Sequence, residues 1–377
     1  MNRPELTVEE IGRPDELAAC AEAWETLADR AGGDLFQTYE WVSTWLDVFW
    51  RDRPIRVLLV RDRGDLVGLA PFLNDKEGEA LCGNSLALPI HPQIRRTDIL
   101  AASDHDRIAE AILSFFHEHV GRVNLSMLVP RDSAMLSALS QVAERGGGGT
   151  VVRPETVSPL VRFDGDWDTY LQSRPRRVRK ELKRKMRRAE KTGGVEWTVA
   201  KGPDEVDAAV AAVFQVEEHS WKESQGESIS DNQDLREFFF RFARVAADRG
   251  WLRIHLLHLD GEPIAYIYGV VRGGHYYALK TSYDQKHRDL SPGIVLFGHA
   301  LQDAASQGYG TFEFLGEDQR WKHELATESW PHAIACVVSR KNLRCSTCSV
   351  YQRRLKPELK RRLPAAVSWG KRVLGRN

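Results

Sequence analysis

No uncharged apolar run in this sequence reaches the ~18–20 residues that a bilayer crossing requires. Its longest apolar stretches, around residues 55–60 and 334–338, are strand-sized. Cysteine is scarce, five in 377 residues; the number is odd and the positions scattered, which excludes a disulfide framework. Glu5, Glu9, Glu10 and Asp15 stand where a secretory leader would carry cations and an apolar segment, so the expected compartment is the cytoplasm. HExxH, P-loop and GxSxG patterns are also missing, which removes the usual sequence support for a metalloprotease, a P-loop NTPase or a serine hydrolase. Cys345 and Cys348 have a zinc-ligand spacing and His332 and Cys336 precede them. Cys336 falls inside an apolar strand, however, and no fourth ligand has standard spacing, so no metal is expected.

Net charge is zero, yet it is unevenly spread. Residues 173–191 carry eleven Arg/Lys against two Glu, and residues 340–377 carry twelve against one. Such runs form solvated helix faces or contacts for anions. In the tail, Leu355 and Leu359 give only a thin apolar stripe, which predicts a peripheral helix with at most weak contact to an anionic membrane. No helix-turn-helix, RNA-recognition or zinc-finger pattern accompanies these runs, so nucleic acid is not an expected partner.

What the sequence does contain is an alternation of helical and strand periods. Helices are predicted over residues 15–31 and 38–50, a hairpin over 55–60 and 66–72, a helix over 103–120, a strand over 123–129 and a helix ending at Arg145. Two short strands follow near 150–153 and 158–163. A basic helix over 167–191 leads to a strand at 195–200 and helices at 203–222 and 231–249. Strands at 252–259, 262–271 and 275–282, a helix at 292–307 and a strand at 311–315 complete the order. At an offset of 197 positions, VLLVRDRGDLVGLA from Val57 faces IHLLHLDGEPIAYI from Ile254, with Gly64 on Gly261. The shared element order predicts a duplicated α/β unit: domains at 1–165 and 166–340 whose sheets approach one another, and a basic tail at 341–377.

In each copy a strand–helix–strand crossover leaves a helix N-terminus at the carboxyl ends of the strands, where open sheets bind ligands. In the second copy, Ser291 is placed to cap, Pro292 suits the first helical position and Gly293 lets a ligand approach the backbone. With Lys286 and Arg288 nearby this loop reads as a pyrophosphate cradle. Asp104 and Asp106 occupy the equivalent place in the first copy and would repel a phosphate, so function is expected in the second.

The stretches FQTYEW from Phe36, LVGLAPF from Leu66, LDGEPIA from Leu259, residues 281–284, Ser291-Pro292-Gly293 and FEFLGEDQRWK from Phe312 resemble the GNAT superfamily. Within it they are most similar to bacterial CelD/BcsL-like acyltransferases linked to cellulose and exopolysaccharide synthesis, and more distantly to Fem-type aminoacyltransferases, which carry two GNAT-like domains. The resemblance implies an α/β (α+β) fold with mixed central sheets flanked by helices. It also implies an acyl-CoA, such as acetyl-CoA, as co-substrate, with Arg288, Ser291 and Gly293 matching the family's acyl-CoA loop; the family's double-glycine version is absent. Two strands of such a fold splay around the thioester. Glu313, the only carboxylate in the second of these strands, is then a base whose pKa burial would raise. Tyr283 is a donor to the leaving thiolate. Glu217, Glu218, His219 and Trp221 end a helix on the acceptor side, with His219 a second base candidate, and Lys322 is a contact for an anionic acceptor. The acceptor is a small molecule, a saccharide or an amine. Two alternatives stay open: an aminoacyl-tRNA donor held by the basic helix, for which the long helical hairpin of Fem-type enzymes is missing, and a non-catalytic module binding nucleic acid or an anionic surface.

Overall fold

Alternating apolar residues and two tight hairpins lay the chain into one mixed sheet with helices on both faces. The computed structural model describes residues 6–51, 53–74, 84–89, 96–220, 229, 232–316 and 318–339. The predicted basic tail, with Cys345 and Cys348, lies outside them. The first half runs β1 (Thr7–Ile11), a 3-10 turn (Pro14–Cys20), α1 (Ala21–Arg30), α2 (Tyr39–Phe49), β2 (Ile55–Asp62), β3 (Asp65–Asn74), β4 (Ser85–Ala87), β5 (Leu100–Ala101), α3 (His105–His119), β6 (Asn124–Pro130), α4 (Ala134–Arg145) and β7 (Gly149–Arg162). The second runs α5 (Trp167–Ser173), α6 (Arg176–Thr192), β8 (Val195–Ala200), α7 (Pro203–Glu218), α8 (Gln233–Asp248), β9 (Leu252–Leu259), β10 (Glu262–Arg272), β11 (His275–Tyr283), a 3-10 turn (Gln285–Leu290), α9 (Pro292–Ser306), β12 (Thr311–Glu313), α10 (Arg320–Leu325) and β13 (Glu328–Val338).

The two halves resemble each other in backbone detail. β2 and β3 begin 197 positions before β9 and β10. Both turns between them place two residues in the left-handed region, Arg63 and Gly64 in one, Asp260 and Gly261 in the other, the backbone twist that suits a two-residue hairpin. α3 and α9 are each 15 residues long, and each starts after a left-handed residue, Asp104 or Ser291.

Among the described residues the strands form a single thirteen-stranded sheet in the order β1, β2, β3, β4, β6, β13, β7, β12, β11, β10, β9, β8, with β5 beside β3. The expectation of two separate sheets that approach one another is therefore corrected. The last strand of each half has crossed over: β13 pairs with β6, and β7 pairs with β12. β7 and β13 then pair with each other over most of their length. The two short strands predicted between 150 and 163 are one strand, β7. The predicted basic helix is two, because Pro175 forces the residue before it, Arg174, into extended backbone.

One face of the sheet carries a core shared by both halves, in which α1 and α2 pack with α7 and α8 around Trp24, Trp41, Phe238 and Phe242. The other face carries two private cores. α3 and α4 cover the first half around Phe72 and Phe116, and α5, α6 and α9 cover the second around Tyr276, Phe297 and Phe312.

Candidate active site

β11 and β12 pair in parallel only over three positions, from His275 opposite Thr311 to Tyr277 opposite Glu313. Leu315, at φ 45°, then turns the chain away. β11 continues to Tyr283, and over residues 278–283 the edge that faced β12 has no strand partner among the described residues. The result is a wedge between diverging parallel strands, and a strand edge of this kind accepts an extended amide-bearing ligand. A register shift opposite Tyr268 and Gly269 sets Lys280 against Tyr268 and Ser282 against Tyr266, so both side chains follow those tyrosines to the face covered by α7 and α8. Lys280 and Ser282 are buried, and the Ser282 hydroxyl has no hydrogen-bond partner among the described residues. On the other wall Lys322 is also buried, with its Nζ donating to the Leu315 carbonyl at 2.6 Å. It is not a surface lysine.

At the mouth of the wedge α9 begins. Ser291 does not cap it: its backbone is left-handed and its side chain accepts no bond from the helix. That corrects the capping role expected of Ser291, and it leaves the amides of Gly293 and Ile294 without a side-chain cap at the positive end of the helix dipole. A Cβ at Gly293 would meet only the Tyr283 ring, at 3.5 Å. Tyr283 is thus beside the helix mouth, about 20 Å along β11 from the wedge apex by strand rise. Lys286 and Arg288 lie exposed on the preceding turn, and Arg288 is only loosely paired with Asp289 at 4.0 Å. These residues fit the phosphates of a nucleotide-linked thioester, and the buried hydroxyl of Ser282 together with the diverging strand edge fits its amide-bearing arm.

At the apex stands a charged cluster that sequence reading missed. Arg96 donates to Glu313 through two bonds of 2.5 and 2.9 Å and holds Asp34 with its Nε. Its guanidinium lies 4.3 Å from the Trp330 ring centroid and 5.2 Å from that of Phe36. His275 contacts Glu313 at 3.2 Å and the Thr311 hydroxyl at 2.5 Å. The expected rise in the Glu313 pKa is corrected. Burial alone would push this carboxyl up, but the Arg96 guanidinium and His275 hold it below the usual carboxylate range. A carboxylate held this way is an anchor for Arg96 and His275, and a weak base.

At the end of α7 the structure separates Glu217 from its neighbours. Glu218 and His219 are exposed, with His219 Nδ1 near the Gln215 carbonyl; Trp221 lies outside the described residues. Glu217 is fully buried and accepts from the Tyr266 hydroxyl at 2.5 Å and the Ile229 amide at 3.0 Å. Val206, Val210, Val213 and Glu217 form one helical stripe, so the spacing already marked Glu217 as the inward carboxylate.

Residues 176–323 match the family model described as an acetyltransferase (GNAT) domain. The match spans α6 through α10 and so includes the wedge, the α9 mouth, Glu313 and Lys322. No curated protein matches the sequence. Among solved structures, L-PGS from Bacillus licheniformis is similar at 15% identity and a TM-score of 0.55, with 93% of this chain and 99% of that chain covered. The C-terminal domain (DUF2156) of a putative lysylphosphatidylglycerol synthetase from Agrobacterium fabrum is similar at 12% identity and a TM-score of 0.55, with coverage of 91% and 96%. FemX is similar at 13% identity and a TM-score of 0.55, with coverage of 87% and 96%. At such identities the likeness is one of fold: the mixed sheet flanked by helices is common to all of them, over nearly the whole of each chain.

Proposed function

We propose that this protein transfers an acyl group from an acyl-CoA, acetyl-CoA in the simplest case, to an amine of a small cytoplasmic acceptor, with saccharide precursors of exopolysaccharide or cell envelope as the acceptor class. The observation that carries this reading is the wedge, in which the divergence of β11 from β12, the buried unpartnered hydroxyl of Ser282 and a helix N-terminus without a side-chain cap line up along β11 within the GNAT-matching segment. The amides at Gly293 and Ile294, with Lys286 and Arg288, hold the pyrophosphate. The edge at residues 278–283 holds the pantetheine amides.

In the reaction the acceptor nitrogen attacks the thioester carbonyl carbon, the C–N bond forms, the C–S bond breaks, and the amine proton and the thiolate must both be accounted for. His275 takes the amine proton. It borders the apex, and Glu313 and Thr311 hold its ring in place. Lys322, buried on the opposite wall, gives the leaving thiolate its proton or its counter-charge. Glu313 acts through Arg96 and His275 by fixing their positions.

The test is isothermal titration with acetyl-CoA and desulfo-CoA at two salt concentrations, followed by thiol-release assays with amine acceptors. Binding of acetyl-CoA that is lost when Gly293 is replaced by Trp supports the reading; absence of binding overturns it. One observation favours a second donor. α6 exposes Arg176, Lys180, Lys183, Arg187, Arg188 and Lys191, and the helix packs beside α9 and the turn that carries Lys286 and Arg288. A polyanionic carrier such as aminoacyl-tRNA would track that face. Its binding would fall steeply with salt, by a log–log slope set by the number of phosphates contacted, whereas acetyl-CoA binding would change little.

A further inference from the structure

A cavity of about 560 Å³ opens between the two halves, against the paired end of β11 and β12. That volume lies within the range of roughly 300–1,000 Å³ found for small-molecule sites. Four carboxylates line it, Asp29, Asp34, Asp98 and Asp132, against the guanidinium groups of Arg96 and Arg272. Both guanidinium groups are already paired, each with one of these carboxylates, which leaves Asp98 and Asp132 without a cation among the described residues. Arg96 holds Asp34 and Glu313, while Arg272 holds Asp29 at 2.8 Å and donates to the Gly33 carbonyl at 2.6 Å. The charge left facing the cavity is negative. Asp98 stays partly accessible although protein surrounds it, and burial pushes its carboxyl up to about 6, the behaviour of a carboxyl group on the inner wall of a pocket. Thr97, 6% exposed, also lines the cavity, and its hydroxyl has no hydrogen-bond partner among the described residues; neither has Asp34 Oδ1. Buried polar atoms without partners are rare and mark places that a ligand or an ordered water completes. Tyr277 and Trp330 add aromatic surface suited to a cation.

We infer that this cavity binds a small polar molecule bearing a primary ammonium group, which Asp98 and Asp132 hold while Thr97 meets a neighbouring hydroxyl. Most of the site comes from the first half of the chain, outside the GNAT-matching segment. That half therefore supplies a pocket for the ligand. The inference rests on the acyl-transfer reading only for the ligand's role as acceptor; the binding itself is independent of the donor.

The probes are glucosamine and putrescine, with N-acetylglucosamine and 1,4-butanediol as uncharged counterparts, titrated calorimetrically into the full chain. Both ammonium probes should bind roughly tenfold or more tightly than their counterparts, as charge-assisted hydrogen bonds require. Asp98→Asn and Asp132→Asn should each weaken them by about tenfold, the size of one such bond, with acetyl-CoA affinity unchanged. Asp132 is exposed, so its variant keeps the fold. Equal binding of charged and uncharged probes, no binding of either, or full affinity in both variants overturns the inference. Ammonium binding without acetyl-CoA binding overturns the donor reading alone, and acetyl-CoA binding without ammonium binding overturns this inference alone.

Discussion

Trp41 of α2 meets Phe238 of α8 edge-on, with ring centroids 5.0 Å apart and planes at 81°. The two residues stand 197 positions apart, the same offset that aligns the hairpins. Phe242 closes on the same indole at 4.8 Å. Equivalent helices of the two halves thus pack on each other through equivalent residues, and the shared core is centred on their contact.

Trp41→Ala should destabilise the whole chain by about 3–5 kcal/mol, as aromatic truncation in a core does. Urea unfolding followed by fluorescence and by circular dichroism should still give one coincident transition. Two separated transitions would mean that the halves unfold independently and that the shared core does not couple them.

Arg96→Met leaves the fully buried Glu313 and the half-buried Asp34 with their cation removed. Breaking a buried pair in this way costs about 3–5 kcal/mol. Adding Glu313→Leu should recover part of the loss, because the stranded carboxylate disappears. A double variant no more stable than Arg96→Met would argue against the pairing.

Glu25 gives a pH signature. Burial, with Glu40 alongside, pushes its carboxyl up to about 7. The native state therefore holds a proton that the unfolded chain releases near pH 4.5, so this group lowers stability as pH rises from about 4.5 to 7. Glu25→Gln should raise the melting temperature at pH 8 more than at pH 5. An equal shift at both pH values would remove Glu25 as the source.

Ser282→Ala removes a buried hydroxyl that has no partner, so stability should stay level or rise slightly. Acetyl-CoA affinity should fall several-fold if the hydroxyl serves the donor. Unchanged affinity would take Ser282 out of the wedge's binding surface.

Gly293→Ala should raise stability by roughly 0.5–1 kcal/mol. The backbone there is not left-handed and the new methyl meets only Tyr283 in ordinary contact. Donor affinity should fall in the same variant, because that methyl stands at the helix mouth. A stability loss would show that the glycine serves the fold.

The parts legible in the sequence were those with local signals. The hairpin turns, the 15-residue helices and the paired strands follow from periodicity and from residues that tolerate left-handed backbone. The inward position of Glu217 was legible too, because it continues a valine stripe, whereas adjacent Glu218 and His219 fall on the exposed side of the same helix end. Arg96 was not. It lies in an irregular stretch, and its partner Glu313 is 217 residues away, so no spacing announces the pair. For the same reason the pKa of Glu313 ran opposite to expectation: burial could be inferred from the strand, whereas a cation arriving from the other half could not. The crossing of β7 and β13 left no mark either, since each strand reads alike whichever sheet it joins.

That crossing bears on how the chain is made. Until β13 leaves the ribosome, β6 has an open edge and the first half lacks a neighbour for its last partner. Exposed edges are templates for pairing with other chains, so a nascent first half needs shielding through the synthesis of some two hundred further residues. Once β13 has inserted, neither half can be withdrawn without unzipping the middle of the sheet. The two halves, alike as they are, are therefore not separable proteins.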